Sequence, residues 1–141
     1  MALFGRRRRV NAPEATNLQP PDEYARRGAV YYGNQDFANA LDMYGEAIDK
    51  LHTMYVFPAP QDRRRQPSVA DESILQGFIS SLGAALAMDP SMQVGARVEK
   101  AINYLGQIAR VAQREDQASA GRYLAAIDDI TLAAKLGKRD E

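Results

Sequence analysis

Apolar positions recur at three- and four-residue intervals through most of the chain, the period of helices that bury one side. Between Phe37 and Leu51 the set is Phe37, Ala40, Leu41, Tyr44, Ala47, Ile48 and Leu51, with Asp42, Glu46, Asp49 and Lys50 on the other side. A second set is Ile74, Leu75, Phe78, Ile79, Leu82 and Leu86, with Gly77, Gly83, Ala84 and Ala85 making one side of that helix narrow. A third set comprises Val94, Val98, Ala101, Ile102, Leu105, Ile108 and Ala109, and a fourth comprises Ala120, Tyr123, Leu124, Ile127, Ile130 and Ala134. A shorter stripe, Tyr24, Gly28 and Tyr31, precedes them all. The pattern predicts an all-α chain of about five helices.

Punctuation between the stripes sets the boundaries. Pro21 suits a first helical position, and Asp22 and Glu23 favour the positive end of the helix dipole. Gly33-Asn34 is expected to end that helix, with Asp36 capping the next, which should run to about Tyr55. Residues 56–70 carry three prolines and Arg63-Arg64-Arg65, a composition that forbids regular structure. Ser68 or Asp71 is the expected cap of the third helix. Asp89-Pro90 should stop that helix and start the fourth directly, since proline cannot continue a helix yet sits well at its first position. A further break is expected near Arg114-Glu115-Asp116. Residues 1–20 offer too little apolar surface to offset ordering entropy and read as a flexible tail. One domain over 21–136 remains, followed by a frayed tail at 137–141.

Residues 24–51 have a more particular arrangement. Two amphipathic segments flank a polar break at Gly33-Asn34-Gln35-Asp36, with small residues (Gly28, Ala40, Ala47) where helices must touch and aromatic rings (Tyr24, Tyr31, Phe37, Tyr44) where a cleft needs filling. Tyr24, Gly28, Tyr31, Phe37, Ala40, Tyr44 and Ala47 fall in register with the tetratricopeptide pattern, so the segment resembles a tetratricopeptide repeat. Arg27 stands where that family has a leucine, and His52 where it has its closing proline. Ile79, Leu82, Gly83 and Leu86, followed by Ala101, Leu105 and Ile108, echo the pattern as a degenerate second repeat. The resemblance implies stacked antiparallel helical hairpins. It also implies a groove along the first helix of the repeat, at Asp22, Ala25, Ala29, Tyr32 and Gly33, that takes a protein or peptide partner. The subclass that grips a C-terminal carboxylate has Lys and Asn in this row; here Ala25 and Ala29 occupy those slots. The ligand expected instead is apolar or helical, or a second copy of the chain. The plainer reading of Tyr32 is a tyrosine that covers helix ends.

Composition narrows the chemistry. The chain of 141 residues has no cysteine and one histidine, which excludes a disulfide framework, a thiolate zinc site and a cysteine nucleophile. His52 alone would need carboxylates to hold a metal, and a single helical histidine is expected at the surface or its boundary. Asp128-Asp129 and Glu115-Asp116 are neighbours that point about 100° apart on a helix and make no dyad. No phosphate-binding glycine loop occurs. The expectation is a non-enzymatic protein with no catalytic residue, cofactor or metal. Net charge is zero, but seven of the 18 basic residues lie in Arg6-Arg7-Arg8-Arg9 and Arg63-Arg64-Arg65. The rest is acidic, 11 basic residues against 18 acidic. The alternative function is thus an accessory protein that binds nucleic acid or an anionic membrane through those two tracts. No run reaches the roughly 18 apolar residues of a membrane span, and MALFGRRRRV lacks a secretory apolar core. The default expectation is cytoplasmic.

Overall fold

The computed structural model describes residues 19–57, 69–114 and 117–139. Among these residues five helices follow one another: α1 (Pro20–Gly33), α2 (Phe37–Val56), α3 (Val69–Met88), α4 (Gly95–Gln113) and α5 (Gln117–Arg139). The described residues contain no strand. Of the expected tail over residues 1–20, residues 1–18 lie outside the described residues, as do 58–68 of the loop over 56–70 and so both arginine tracts, while Pro20 already belongs to α1.

The α1–α2 hairpin is built by its caps. Asp22 and Glu23 donate their backbone N–H groups to the Gln19 carbonyl at 3.0 Å, which starts α1 one residue earlier than proline placement suggested. At the other end Gly33 stays helical and Gln35 turns the chain, with φ at 63°. The Asp36 N–H reaches the Tyr31 carbonyl at 2.9 Å and the Gln35 N–H reaches that of Tyr32 at 3.0 Å. This is a Schellman ending, with a glutamine in the left-handed position that glycine usually fills. Asp36 then caps α2 by accepting from the Asn39 N–H at 3.4 Å, and its other carboxylate oxygen accepts from the Asn39 amide at 2.7 Å.

Three contacts at successive levels show that α1 and α2 run antiparallel. Tyr32 and Phe37 meet edge to face at 5.0 Å beside the turn. Gly28 faces the Tyr44 ring in the middle, and Lys50 lies 5.9 Å over the Tyr24 ring at the far end. Of the predicted stripe on α1, Gly28 is buried and Tyr24 half-buried, but Tyr31 is 37% exposed. A lone 14-residue helix laid on one side of the molecule needs only a narrow seam.

Helix α2 is the centre. Ala40, Leu41, Tyr44, Ala47, Ile48, Leu51 and His52 are buried along it, and it packs on α1, α3 and α4. It runs parallel to α4, as ascending pairs show: Asp42 to Arg97 at 2.6 Å, Asp49 to Lys100 at 3.3 Å and His52 to Gln107 at 2.7 Å. Helix α5 packs on α3 and α4, and α1 also touches α3. Leu41, Ile48, Leu51, Ile74, Phe78, Leu82, Leu86, Leu105, Ile108 and Ile130 are almost wholly withdrawn from water, a continuous core whose burial is the main favourable term in folding. The fold class is therefore all-α, with five helices among the described residues and neighbouring helices packed in a manner compatible with stacked hairpins.

Several expectations are corrected. Pro90 does not begin α4: Asp89 Oδ1 accepts from the Ser91 N–H at 3.2 Å and from its hydroxyl at 2.6 Å, closing a turn. That turn carries the chain to Gly95 and leaves Val94, buried, outside the helix. Asp71 is not a cap but the third residue of α3. Leu124, assigned to the buried stripe of α5, is 53% exposed. Nor does the degenerate repeat assemble as a pair: among the described residues α3 and α4 make no substantial packing contact, and Gly83 has open space where a Cβ would point. Helix α5 continues to Arg139, beyond the expected fray point at Gly137.

Candidate functional site

Tyr44 is the piece around which the site forms. Its ring lies between two helices that each present a glycine to it. A Cβ on Gly28 of α1 would sit 2.8 Å from Cε2 and 2.9 Å from Cδ2 of that ring. A Cβ on Gly77 of α3 would fall on the opposite edge, 2.6 Å from Cδ1 and closer still to Cε1 and Cζ. Only glycine lets both backbones approach one tyrosine in this way. The ring thus fixes how far α1 stands from α3.

Above the ring the two helices leave an open groove of about 340 Å³, lined by Ala29 and Tyr32 of α1, Tyr44 of α2, and Ser73, Gln76, Gly77 and Ser80 of α3. None of these residues is charged. Ala29, Tyr32, Ser73, Gln76 and Ser80 are exposed, whereas Tyr44 is 8% exposed. Burial pushes the Tyr44 phenol above its ordinary pKa, and Tyr32 adds to the effect. Of the row expected to face a groove, Ala29 and Tyr32 lie in it; Gly33 is exposed beyond its end, and Asp22 and Ala25 are half-buried outside the lining. The α3 wall was not anticipated. Ser73, Gln76, Gly77 and Ser80 repeat at helical spacing opposite Ile74, Phe78 and Leu82, a small polar stripe that periodicity alone reads as an ordinary solvated face.

A second, smaller groove of about 200 Å³ runs between α2 and α4, with Leu41, Ile48, Phe78 and Ala101 inside and Asp42, Glu46, Arg97 and Lys100 at its rim. Arg97 and Asp42, and Lys100 and Asp49, neutralise one another there.

His52, expected at the surface or its boundary, is buried. Its ring stacks on Tyr104 at 4.1 Å and 17°, and Nε2 donates to Gln107 Oε1 at 2.7 Å, so it is a packing element between α2 and α4. Asp71 is likewise internal, 3% exposed, and accepts hydroxyl hydrogen bonds from Tyr55 at 2.7 Å and Tyr123 at 3.0 Å. Burial and the Asp71 carboxylate hold the Tyr123 phenol far above its ordinary pKa. This network ties the end of α2 and the start of α3 to α5. Among the described residues no three of His, Asp and Glu gather where they could hold a metal ion, and no helix is long and apolar enough to cross a membrane. No protein-family model, curated protein or solved structure matches this chain.

Proposed function

We propose that this protein is a tetratricopeptide-like, non-enzymatic interaction module that holds a segment of a protein partner in the groove between α1 and α3. The observation that carries the reading is the groove itself: two adjacent helices held apart by one tyrosine, with a small residue, Ala29, and an aromatic ring, Tyr32, at its edge. Such a concave surface, partly apolar and with a few polar groups, has the character of a ligand site. The α1–α2 hairpin with α3 packed against both of its helices is also what one repeat and the helix that follows it produce in a stacked array. The serines at the groove lack a neighbouring histidine or carboxylate in its lining, which favours binding over chemistry.

The test is an affinity capture with mass readout, comparing the parent chain with Ala29→Trp and with alanine in place of Arg6, Arg7, Arg8, Arg9, Arg63, Arg64 and Arg65. An indole at residue 29 fills the groove from an exposed position and spares the core. Partners lost from the Ala29→Trp chain and kept by the arginine-free chain support the module. The reverse pattern, with capture that falls steeply as salt rises, overturns it in favour of the arginine tracts.

A further inference from the structure

The first and last helices of the packing leave apolar side chains in water. Val30 and Tyr31 on α1, and Leu124, Leu132 and Leu136 on α5, are between 37% and 56% exposed. Among the described residues α2, α3 and α4 expose large apolar side chains only at their ends, at Phe57 and Met88. Stacked helical proteins close their terminal units with a polar outer face, and exposed apolar patches mark sites of association. Val30 and Tyr31 do not line the α1–α3 groove, so their patch is separate from it.

Charge accompanies each patch, with opposite sign. On α1, Arg26 precedes Val30 and Arg27 precedes Tyr31 by one helical turn. Both guanidinium groups share one oxygen of Glu23, at 2.9 and 3.1 Å, so two cations stand against one anion. On α5, Asp128 precedes Leu132 by one turn and Leu136 follows by another. Asp128 and Asp129 are exposed and make no ion pair among the described residues.

The two helices also run in the same direction. Helix α1 is antiparallel to α2, and α5 follows α4 closely and packs back along it, while α4 is parallel to α2. Tyr24 near the start of α1 lies beside Lys50, and Tyr123 in the first half of α5 lies beside Tyr55, both towards the end of α2. Two copies stacked without inversion can therefore set α5 of one beside α1 of the next as parallel helices. At equal rise per residue, Asp128 and Asp129 level with Arg26 and Arg27 put Leu132 level with Val30 and Tyr31. Lys135 then falls level with Gly33, clear of the arginines.

We infer that a second copy of this chain covers these patches, with α5 of one molecule docked on α1 of the next through Leu132, Val30 and Tyr31 and with Asp128 and Asp129 opposite Arg26 and Arg27. The contact is heterologous and leaves one patch free at each end, so assembly continues beyond a dimer as concentration rises. The opposed charges fix its direction and register, and salt weakens it.

The experiment is sedimentation velocity of the full chain up to about 1 mM, at low and at high salt, with Val30→Asp to block α1 and Leu132→Asp to block α5. The parent is expected to gain mass with concentration, and less so at high salt. Either blocked chain alone should associate about ten-fold more weakly, because it places an unpaired carboxylate in an apolar contact. Both substituted positions are exposed, so thermal midpoints close to the parent separate lost association from lost folding. Mixed together, the two blocked chains should form a one-to-one dimer that grows no further, since one keeps α5 intact and the other α1. Arg26→Glu with Arg27→Glu, or Asp128→Arg with Asp129→Arg, should each remove association, and all four changes in one chain should restore it. A parent that stays monomeric, a blocked chain that associates as the parent does, or a mixture that fails to dimerise overturns the inference.

Discussion

Replacing glycine by alanine inside a helix ordinarily stabilises it, because the unfolded chain loses freedom and the helix gains a favourable residue, about 1 kcal/mol at most. Helix α3 contains two glycines on which this rule should give opposite results. Gly83 has nothing within 4 Å of where a Cβ would lie, whereas a Cβ at Gly77 would fall on the Tyr44 ring. The ring has no easy retreat, since a Gly28 Cβ site lies only 2.8 Å from its other edge, which shows how closely that helix approaches. Overpacking of this kind costs about 1–3 kcal/mol. Gly83→Ala is therefore expected to raise the thermal midpoint by about 4 °C and Gly77→Ala to lower it by at least as much. Both variants share a helix and a substitution, so their difference isolates the collision with Tyr44. Circular dichroism at 222 nm through thermal and urea unfolding measures it. Tyr44→Leu in the Gly77→Ala background should recover part of the loss, the non-additivity expected of residues in contact. If Gly77→Ala proves as stable as Gly83→Ala, Tyr44 does not set the spacing of α1 and α3. The account of the groove then loses its foundation.

Gln35→Gly should stabilise by about 1 kcal/mol, since it removes a Cβ from a left-handed turn position, and urea midpoints of the two chains would show it. Asp71→Ala leaves two tyrosine hydroxyls without their carboxylate and is expected to cost about 3 kcal/mol in urea unfolding, more than Tyr123→Phe, which leaves Tyr55 donating. Alkaline stability follows from the raised Tyr123 and Tyr44 phenols. In the unfolded chain both ionise near pH 10, while the folded chain keeps them neutral, so stability is intact below about pH 10 and declines above it. Tyr123→Phe should make that decline shallower, and an unchanged slope would contradict the assignment. Tyr32→Ala should leave the melting curve nearly unchanged and weaken partner capture, a result that reversal of the two effects would refute.

The α1–α2 hairpin was legible because its signals are local. Asp36 as a cap, the apolar face from Ala40 to Leu51 and the small Gly28 opposite an aromatic are all set by residues near one another in the chain. What the sequence hid depends on contacts between residues far apart. His52 was expected at the surface or its boundary because a single polar ring on a helix has no marked partner in sequence; Tyr104 and Gln107, more than 50 positions away, supply one. Asp71 looked like a cap because capping is a local rule, and the tyrosines that claim its carboxylate come from other helices. Leu124 was assigned to the core by period alone, but α5 packs chiefly on α3 and α4, and Leu124 lies on a side turned to solvent. On α1 the resemblance located Ala29 and Tyr32. The facing wall on α3 was missed because Ser73, Gln76 and Ser80 have nothing in their sequence neighbourhood that separates a groove from open solvent.

Gly77 links scaffold and site. Its missing side chain gives room for the Tyr44 ring on one side, and the same absence keeps the groove open above that ring. Gly28 does the corresponding work on α1. It follows that the groove residues divide into two physical groups. Changes at Gly28, Tyr44 or Gly77 that alter ring or backbone spacing must disturb folding and binding together, because the distance between α1 and α3 is the width of the site. Changes at Ala29, Tyr32, Ser73, Gln76 or Ser80 act on exposed positions and alter what the groove accepts at little cost to stability. Under the proposed function, such a groove varies its partner through five wall positions while the three-residue spacer beneath it stays fixed.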